Sequence, residues 1–161
     1  MEDIRANGHI LYDSIQHINS CAVKKSGLFP IDSIILATTA TIGEHALLKA
    51  PALVNQQFTC FTLRDKYKGL VDIDYLYWYF FLIDDWCKLN ANTGTSFPTV
   101  DISRLKQQKI SLPKELSEQR RIAKLLSSYD SMLATETNLI EITERERATT
   151  ERITRLILSN F

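Results

Sequence analysis

The chain has 161 residues, 45% of them hydrophobic and 24% charged, which fits one ordinary globular domain. Lys+Arg and Asp+Glu both number 19, and the balance holds on either side of Pro113, so the strong net positive charge of a typical nucleic-acid binder is excluded. The N-terminal segment is polar, and the most apolar run, residues 75–83, is too short to span a bilayer, so a cytoplasmic protein without a membrane segment is expected.

Residues 1–20 carry Ile10, Leu11, Ile15 and Ile18, which could line a short helix or a frayed entry segment. Residues 32–39 form a β-rich run, Gly43 marks a turn where positive φ is tolerated, and residues 45–49 read as the return strand, ended by Pro51. Residues 57–64 read as a further strand with one imperfect alternation: Phe58, Cys60 or Phe61, and Leu63 fall against polar residues. Asp72 or Asp74 can cap a helix through residue 86. The apolar run inside it also suits a buried strand, but its length and the aspartates favour a helix. After the loop at residues 92–96, Asp101 can cap a short helix to Leu105, and residues 109–113 read as a short strand stopped by Pro113.

Residues 114–161 contain neither glycine nor proline and read as one helix of up to roughly 70 Å. Ile122, Leu125, Leu126, Tyr129, Met132 and Leu133 follow a spacing of three and four, continued by Leu139, Ile140 and Ile142. Residues 143–152 are polar apart from Ala148, and Ile153, Leu156, Ile157 and Phe161 restore the stripe. A lone helix of this length needs a partner in water. Apolar ends around a polar waist fit packing against an antiparallel helix. The alternatives are a helix folded back on its own domain and a hairpin broken at the waist.

Little in the chain points to catalysis. Cys21, Cys60 and Cys87 are widely spaced and form no CxxC, so buried free thiols are expected rather than disulfides or zinc. His9, His17 and His45 offer no metal-ligand spacing, and no metal site is expected. Asp84 and Asp85 read as a solvated helix end rather than an acid–base pair. No phosphate loop, nucleophile elbow or nucleophile–base set is present, so a non-enzyme is expected. Polar and basic groups do cluster: Lys24 with Lys25, then Arg64, Lys66 and Lys68, then Thr93, Thr95 and Ser96 near Arg104, Lys106 and Lys109. Such groups can hold phosphates, and the amides of Asn55, Gln56 and Gln57 suit base edges, adenine above all.

Residues 36–43 (LATTATIG), 54–58 (VNQQF), 76–80 (LYWYF), 94–97 (GTSF), 110–113 (ISLP), 118–122 (EQRRI) and 125–130 (LLSSYD) occur in an order that resembles the DNA-specificity subunit of type I restriction–modification systems. The resemblance implies an α+β fold: a mixed α/β target-recognition domain over residues 1–112, short at its N-terminus, then a long helix over residues 113–161 that pairs as an antiparallel coiled coil. It implies a non-catalytic subunit that reads one half of a bipartite site in double-stranded DNA. Through its helix such a subunit docks a methyltransferase subunit, with a restriction subunit as a further candidate partner. No cofactor is expected on this chain, since S-adenosylmethionine would belong to the methyltransferase.

That family carries two recognition domains and two helices where this chain has one of each, which implies a homodimer through the C-terminal helix. The expected DNA contacts are Thr39, Thr41, Asn55, Gln56, Arg64, Lys66, Thr93, Thr95, Ser96 and Arg104. The expected helix contacts are Ile122, Leu125, Leu126, Tyr129, Met132, Leu133, Leu139, Ile153, Leu156 and Ile157. The alternative is a truncated or silent-cassette fragment acting only as a protein–protein assembly module.

Overall fold

The computed structural model describes residues 1–24, 27–94 and 97–158, the side chains of residues 151 and 153–158 excepted. The chain divides into two compact units, Met1–Arg120 and Arg121–Phe161. The first unit is built on a four-stranded sheet in the order β1-β3-β2-β4. Its strands are β1 (Ile10–Leu11), β2 (Ser33–Ala37), β3 (His45–Leu48) and β4 (Phe58–Thr62). β2 pairs antiparallel with both β3 and β4, and β1 lies parallel to β3. Around the sheet stand α1 (Glu2–Asn7), α2 (Ile73–Asn90) and α3 (Ile102–Leu105), and the chain continues into α4 (Leu116–Leu158).

Side chains alternate across a strand, and here both faces are covered. Ile34, Leu36 and Leu47 pack with Leu76, Tyr77, Phe80, Ile83 and Cys87 of α2. Ile35, Ala46 and Leu48 pack on the other face with Ile4 of α1 and Leu11. Burial on both faces explains why β2 is an unbroken small-and-apolar run rather than an alternating one. It also explains β4. Phe58 and Cys60 serve the α1 face and Phe61 the α2 face, so the imperfect alternation is two apolar sets interleaved.

Asp72 caps α2, its Oδ1 accepting from the Tyr75 amide at 3.1 Å, and Asp101 caps α3 through the amides of Ser103 and Arg104. Both are aspartates at which the sequence already places a cap, although at α2 it left Asp74 equally open.

Two expectations are corrected and one open choice is narrowed. Of the two readings of residues 1–20, the helix lined by Ile10, Leu11, Ile15 and Ile18 does not form. The helix lies upstream, at Glu2–Asn7, with Ile4 as its buried residue, while Ile15 and Ile18 are exposed. Residues 109–113 form no strand either. The backbone of Ser111 bonds to α2 side chains instead: the Tyr75 hydroxyl donates to the Ser111 carbonyl (3.2 Å), and the Ser111 amide donates to the Tyr79 hydroxyl (3.3 Å). A segment anchored by tyrosine hydroxyls needs no partner strand. Finally, the three thiols are not all buried. Cys87 is buried and Cys60 half-buried, but Cys21 is exposed in the short 3₁₀ turn Ser20–Ala22.

α4 is one unbroken helix of 43 residues, which excludes a hairpin at the polar waist. At about 1.5 Å per residue it is roughly 65 Å long. Its first turn belongs to the compact unit Met1–Arg120. There Gln119 is buried, donating to the carbonyls of Leu70 (3.0 Å) and Pro113 (2.8 Å) and accepting from the Asp72 amide (2.8 Å). Arg120 adds a contact to Asp72 at 3.3 Å. Further along, Leu125, Leu126, Tyr129, Met132, Leu133 and Leu139 are all exposed, and Ile122 is half-buried. The side chains of Ile153, Leu156 and Ile157 lie outside the described residues.

Candidate nucleic-acid interface

The antiparallel sheet brings the end of β2 and the starts of β3 and β4 to one edge of the domain. Three loops meet there. Residues 38–44 link β2 to β3, residues 55–57 lead into β4, and residues 92–94 and 97–99 lie beyond the C-terminus of α2. The loops are stitched by backbone bonds. The Thr38 amide donates to Gln57 O at 3.0 Å, and the Thr38 carbonyl accepts from Val100 N at 2.9 Å. Ala40 N donates to Pro98 O at 3.1 Å, and Thr99 forms isolated bridges with both Thr39 and Asn92.

Two backbone features hold the first loop. Gly43 adopts φ +77°, the turn conformation its sequence position suggests, and a Cβ there would lie 2.8 Å from the Asp84 carbonyl and 2.6 Å from the Lys88 side chain. Glycine is thus required both by φ and by the close approach to α2. Ala40 also has positive φ (67°), a strained choice for a residue with a Cβ, held by its bond to Pro98.

Thr39, Thr41, Asn55, Gln56 and Thr93 therefore belong to one loop surface. Arg104 joins that end of the domain through the C-terminal part of α2. Its guanidinium bonds Asn90 Oδ1 at 3.1 Å and lies 5.8 Å from the Trp86 ring centre, so it is oriented before any ligand arrives. Lys88, packed against Gly43, is a second cation there that sequence reasoning missed. Its signal was its place one turn after Asp84. Thr95 and Ser96 lie outside the described residues, as does Lys25.

Arg64 and Lys66 stand elsewhere. They follow the far end of β4, about 20 Å along the strand from residue 57 at roughly 3.4 Å per residue. This second group is largely occupied with itself. Lys68 pairs with Asp65 at 2.6 Å, holding that carboxyl below its usual range, and Lys66 lies over the Tyr67 ring at 4.7 Å. Nearby, Lys49 pairs with Asp32 (2.9 Å) and Asp74 (3.4 Å).

One buried polar pair was also missed. His45 Nδ1 meets Asp84 Oδ2 at 2.5 Å inside the core, with the His45 ring edge-on to Phe81 and tilted against Tyr77 and Phe80. Asp84 is thus an interior residue of α2, not a solvated helix end. The signal was its helical spacing from Tyr77 and Phe80, which put it on the core face. The pair ties β3 to α2 directly beneath the loop of residues 38–44. No cluster of three or more His, Cys, Asp or Glu side chains suited to a metal occurs among the described residues. Among them, too, no helix is long and apolar enough to cross a membrane.

A sheet packed between helices, polar loops gathered at one end and a long following helix define the class. The family model for the type I restriction modification DNA specificity domain matches residues 3–144, and the chain belongs to that family. It is 44% identical over 140 residues to the type I restriction enzyme EcoprrI specificity subunit of Escherichia coli, covering 83% of this chain and 35% of that protein. It is 33% identical over 134 residues to the MjaIX specificity subunit of Methanocaldococcus jannaschii, covering 81% of this chain and 30% of that one. The chain thus spans about a third of the length of these relatives.

Solved structures agree in fold. The S subunit of a type I restriction–modification system from M. genitalium superposes with a TM-score of 0.57 at 20% identity, over 85% of this chain and 35% of that one. A chain from a structure described as showing complex assembly and conformational transition of the type I R-M system gives 0.61 at 19% identity, over 78% and 29%.

Proposed function

We propose that this chain is a non-catalytic DNA reader that recognises one half of a bipartite site, with residues 1–112 as the reading domain and residues 113–161 as a spacer helix. The observation that carries the reading is the gathering of residues 38–44, 55–57, 92–94 and 97–99 at one end of the domain, with Lys88 and Arg104 beside them. Phosphates need cations to position the duplex, and base edges need threonine, asparagine and glutamine groups to read it. A local patch suffices for this without a basic protein overall. Thr39, Thr41, Asn55, Gln56, Thr93, Thr95, Ser96 and Arg104 make up the proposed contact surface. Arg64 and Lys66, at the other end of β4, are assigned to outlying phosphates.

The exposed stripe of α4 supports the second half of the proposal. Leu125, Leu126, Tyr129, Met132, Leu133 and Leu139 lie on a helix too long to leave them wet. A second copy running antiparallel covers them, with Ile122 and, beyond the waist, Ile153, Leu156 and Ile157. A methyltransferase subunit docks on the pair, bringing its own S-adenosylmethionine, and a restriction subunit can follow. Two-fold pairing makes the site read by one dimer a split palindrome.

The test is co-purification with a methyltransferase subunit encoded beside this chain, followed by sequencing of the methylated sites. A split palindrome is the expected result. A folded chain that stays monomeric and ignores duplex DNA at low salt would overturn the proposal. Methyltransferase binding with no sequence preference would leave only the assembly-module reading.

A further inference from the structure

The loop surface contains several amides, and their hydrogen bonds separate them. Asn55 Oδ1 accepts from the Gln57 amide at 3.0 Å, and the Asn55 carbonyl accepts from Phe58 N at 3.1 Å. Residues 55–58 are therefore a β-turn locked by its own asparagine, a local use of this side chain that competes with any ligand. Asn92 is spent in the same way, its Oδ1 accepting from Gly94 N at 3.0 Å. Asn90 Oδ1 is taken by Arg104. Gln57 is set apart by burial rather than by a side-chain bond: it is half-buried, and its backbone carbonyl extends the β2–β4 ladder to Thr38. Gln56 differs from all of these. It occupies the first central position of the turn, is exposed, and makes no hydrogen bond among the described residues. Its amide keeps both its acceptor and its donors, on a turn whose backbone is fixed from both sides.

Resting on the DNA-reading proposal above, we infer that Gln56 is the specificity-determining side chain of this turn and that it reads an adenine in the major groove. Oε1 accepts from the adenine N6 amino group and Nε2 donates to N7, the pairing that only a free carboxamide can make with both atoms. Within the proposed contact surface Asn55 is then a positioning residue: it holds the turn and contributes to binding without reading a base.

The test is selection of bound sequences from a randomised duplex library by the purified 161-residue chain at low salt, for wild type, Gln56→Ala, Gln56→Glu and Asn55→Ala. The wild type should enrich a motif containing adenine. Gln56→Ala should lose preference at one base pair, by roughly tenfold to a hundredfold, and keep the rest of the motif. Gln56→Glu should move that position toward cytosine, whose N4 amino group a carboxylate accepts. Asn55→Ala should weaken binding to all sequences alike and leave the motif unchanged. An unchanged motif in folded Gln56→Ala, or loss of one position in Asn55→Ala instead, overturns the inference while leaving DNA reading intact. A wild type that enriches no sequence overturns both. Circular dichroism of each variant confirms folding, which substitution at this exposed position should preserve.

Discussion

Single residues set the geometry beneath the loop surface. Gly43→Ala forces a Cβ into left-handed backbone and against the Asp84 carbonyl, so a loss of roughly 2–4 kcal/mol is expected in urea unfolding. The His45–Asp84 pair makes a sharper case. His45 Nε2 and Asp84 Oδ1 are buried without a hydrogen-bond partner among the described residues, so the pair stabilises through one bond while leaving two polar atoms unsatisfied. Removing one partner strands the other. Asp84→Leu should therefore cost about 3 kcal/mol, while adding His45→Leu should recover most of that loss in a double-mutant cycle. Cys87, pushed up to about 11 by burial and then by Asp84, stays protonated where the unfolded thiol, near 9.0, ionises. The unfolded state releases its proton first, so stability should fall as pH rises from about 9 to about 11. A Cys87→Ala variant should lack that part of the alkaline slope. Alkylation at pH 8 should modify exposed Cys21 and spare Cys87 until the chain unfolds.

At the scale of elements, the contrast between α2 and α4 is instructive. α2 is capped by Asp72 and buries Leu76, Tyr77, Phe80, Ile83 and Cys87, so packing holds it. α4 has little such support after its first turn. Ser128, Ser131, Thr135, Thr137, Thr143, Thr149 and Thr150 each donate to the carbonyl four residues back, which accommodates them in a helix without making them good helix formers. The helix is rooted instead by Gln119. Its amide satisfies two carbonyls and one amide of the first unit, so Gln119→Ala leaves buried backbone groups unpaired and should cost about 2–4 kcal/mol in thermal or urea unfolding. Under the proposed pairing, Leu126→Glu with Leu133→Glu should abolish dimers in sedimentation equilibrium while the reading domain keeps its near-ultraviolet dichroism.

For the whole molecule, the sheet sorts the candidate contacts into two ends that chain order had mixed. The proposed reading end should show a salt-dependent affinity for duplex DNA. Arg104→Ala should weaken binding more than Arg64→Ala, measured by fluorescence anisotropy at two salt concentrations. By itself the sequence pointed to the elements that rest on local physics: the capped helix α3, the turn at Gly43, the strands around it, α2 as a helix in preference to a buried strand, and a long helix after Pro113 whose continuity through the waist it left open. Segment order was enough to identify the family. Side chains used at long range were decided only by the tertiary structure. Residues 109–113 look like a strand until tyrosine hydroxyls of α2 take the backbone bonds of Ser111. Asp84 looks like a helix end until α2 continues past it and His45 meets it across the core. Asn55 and Gln56 look alike as neighbouring amides until the turn claims one and presents the other. Caps, turns and helical spacing are local in sequence, whereas the partner of a buried or exposed polar group is chosen by residues tens of positions away.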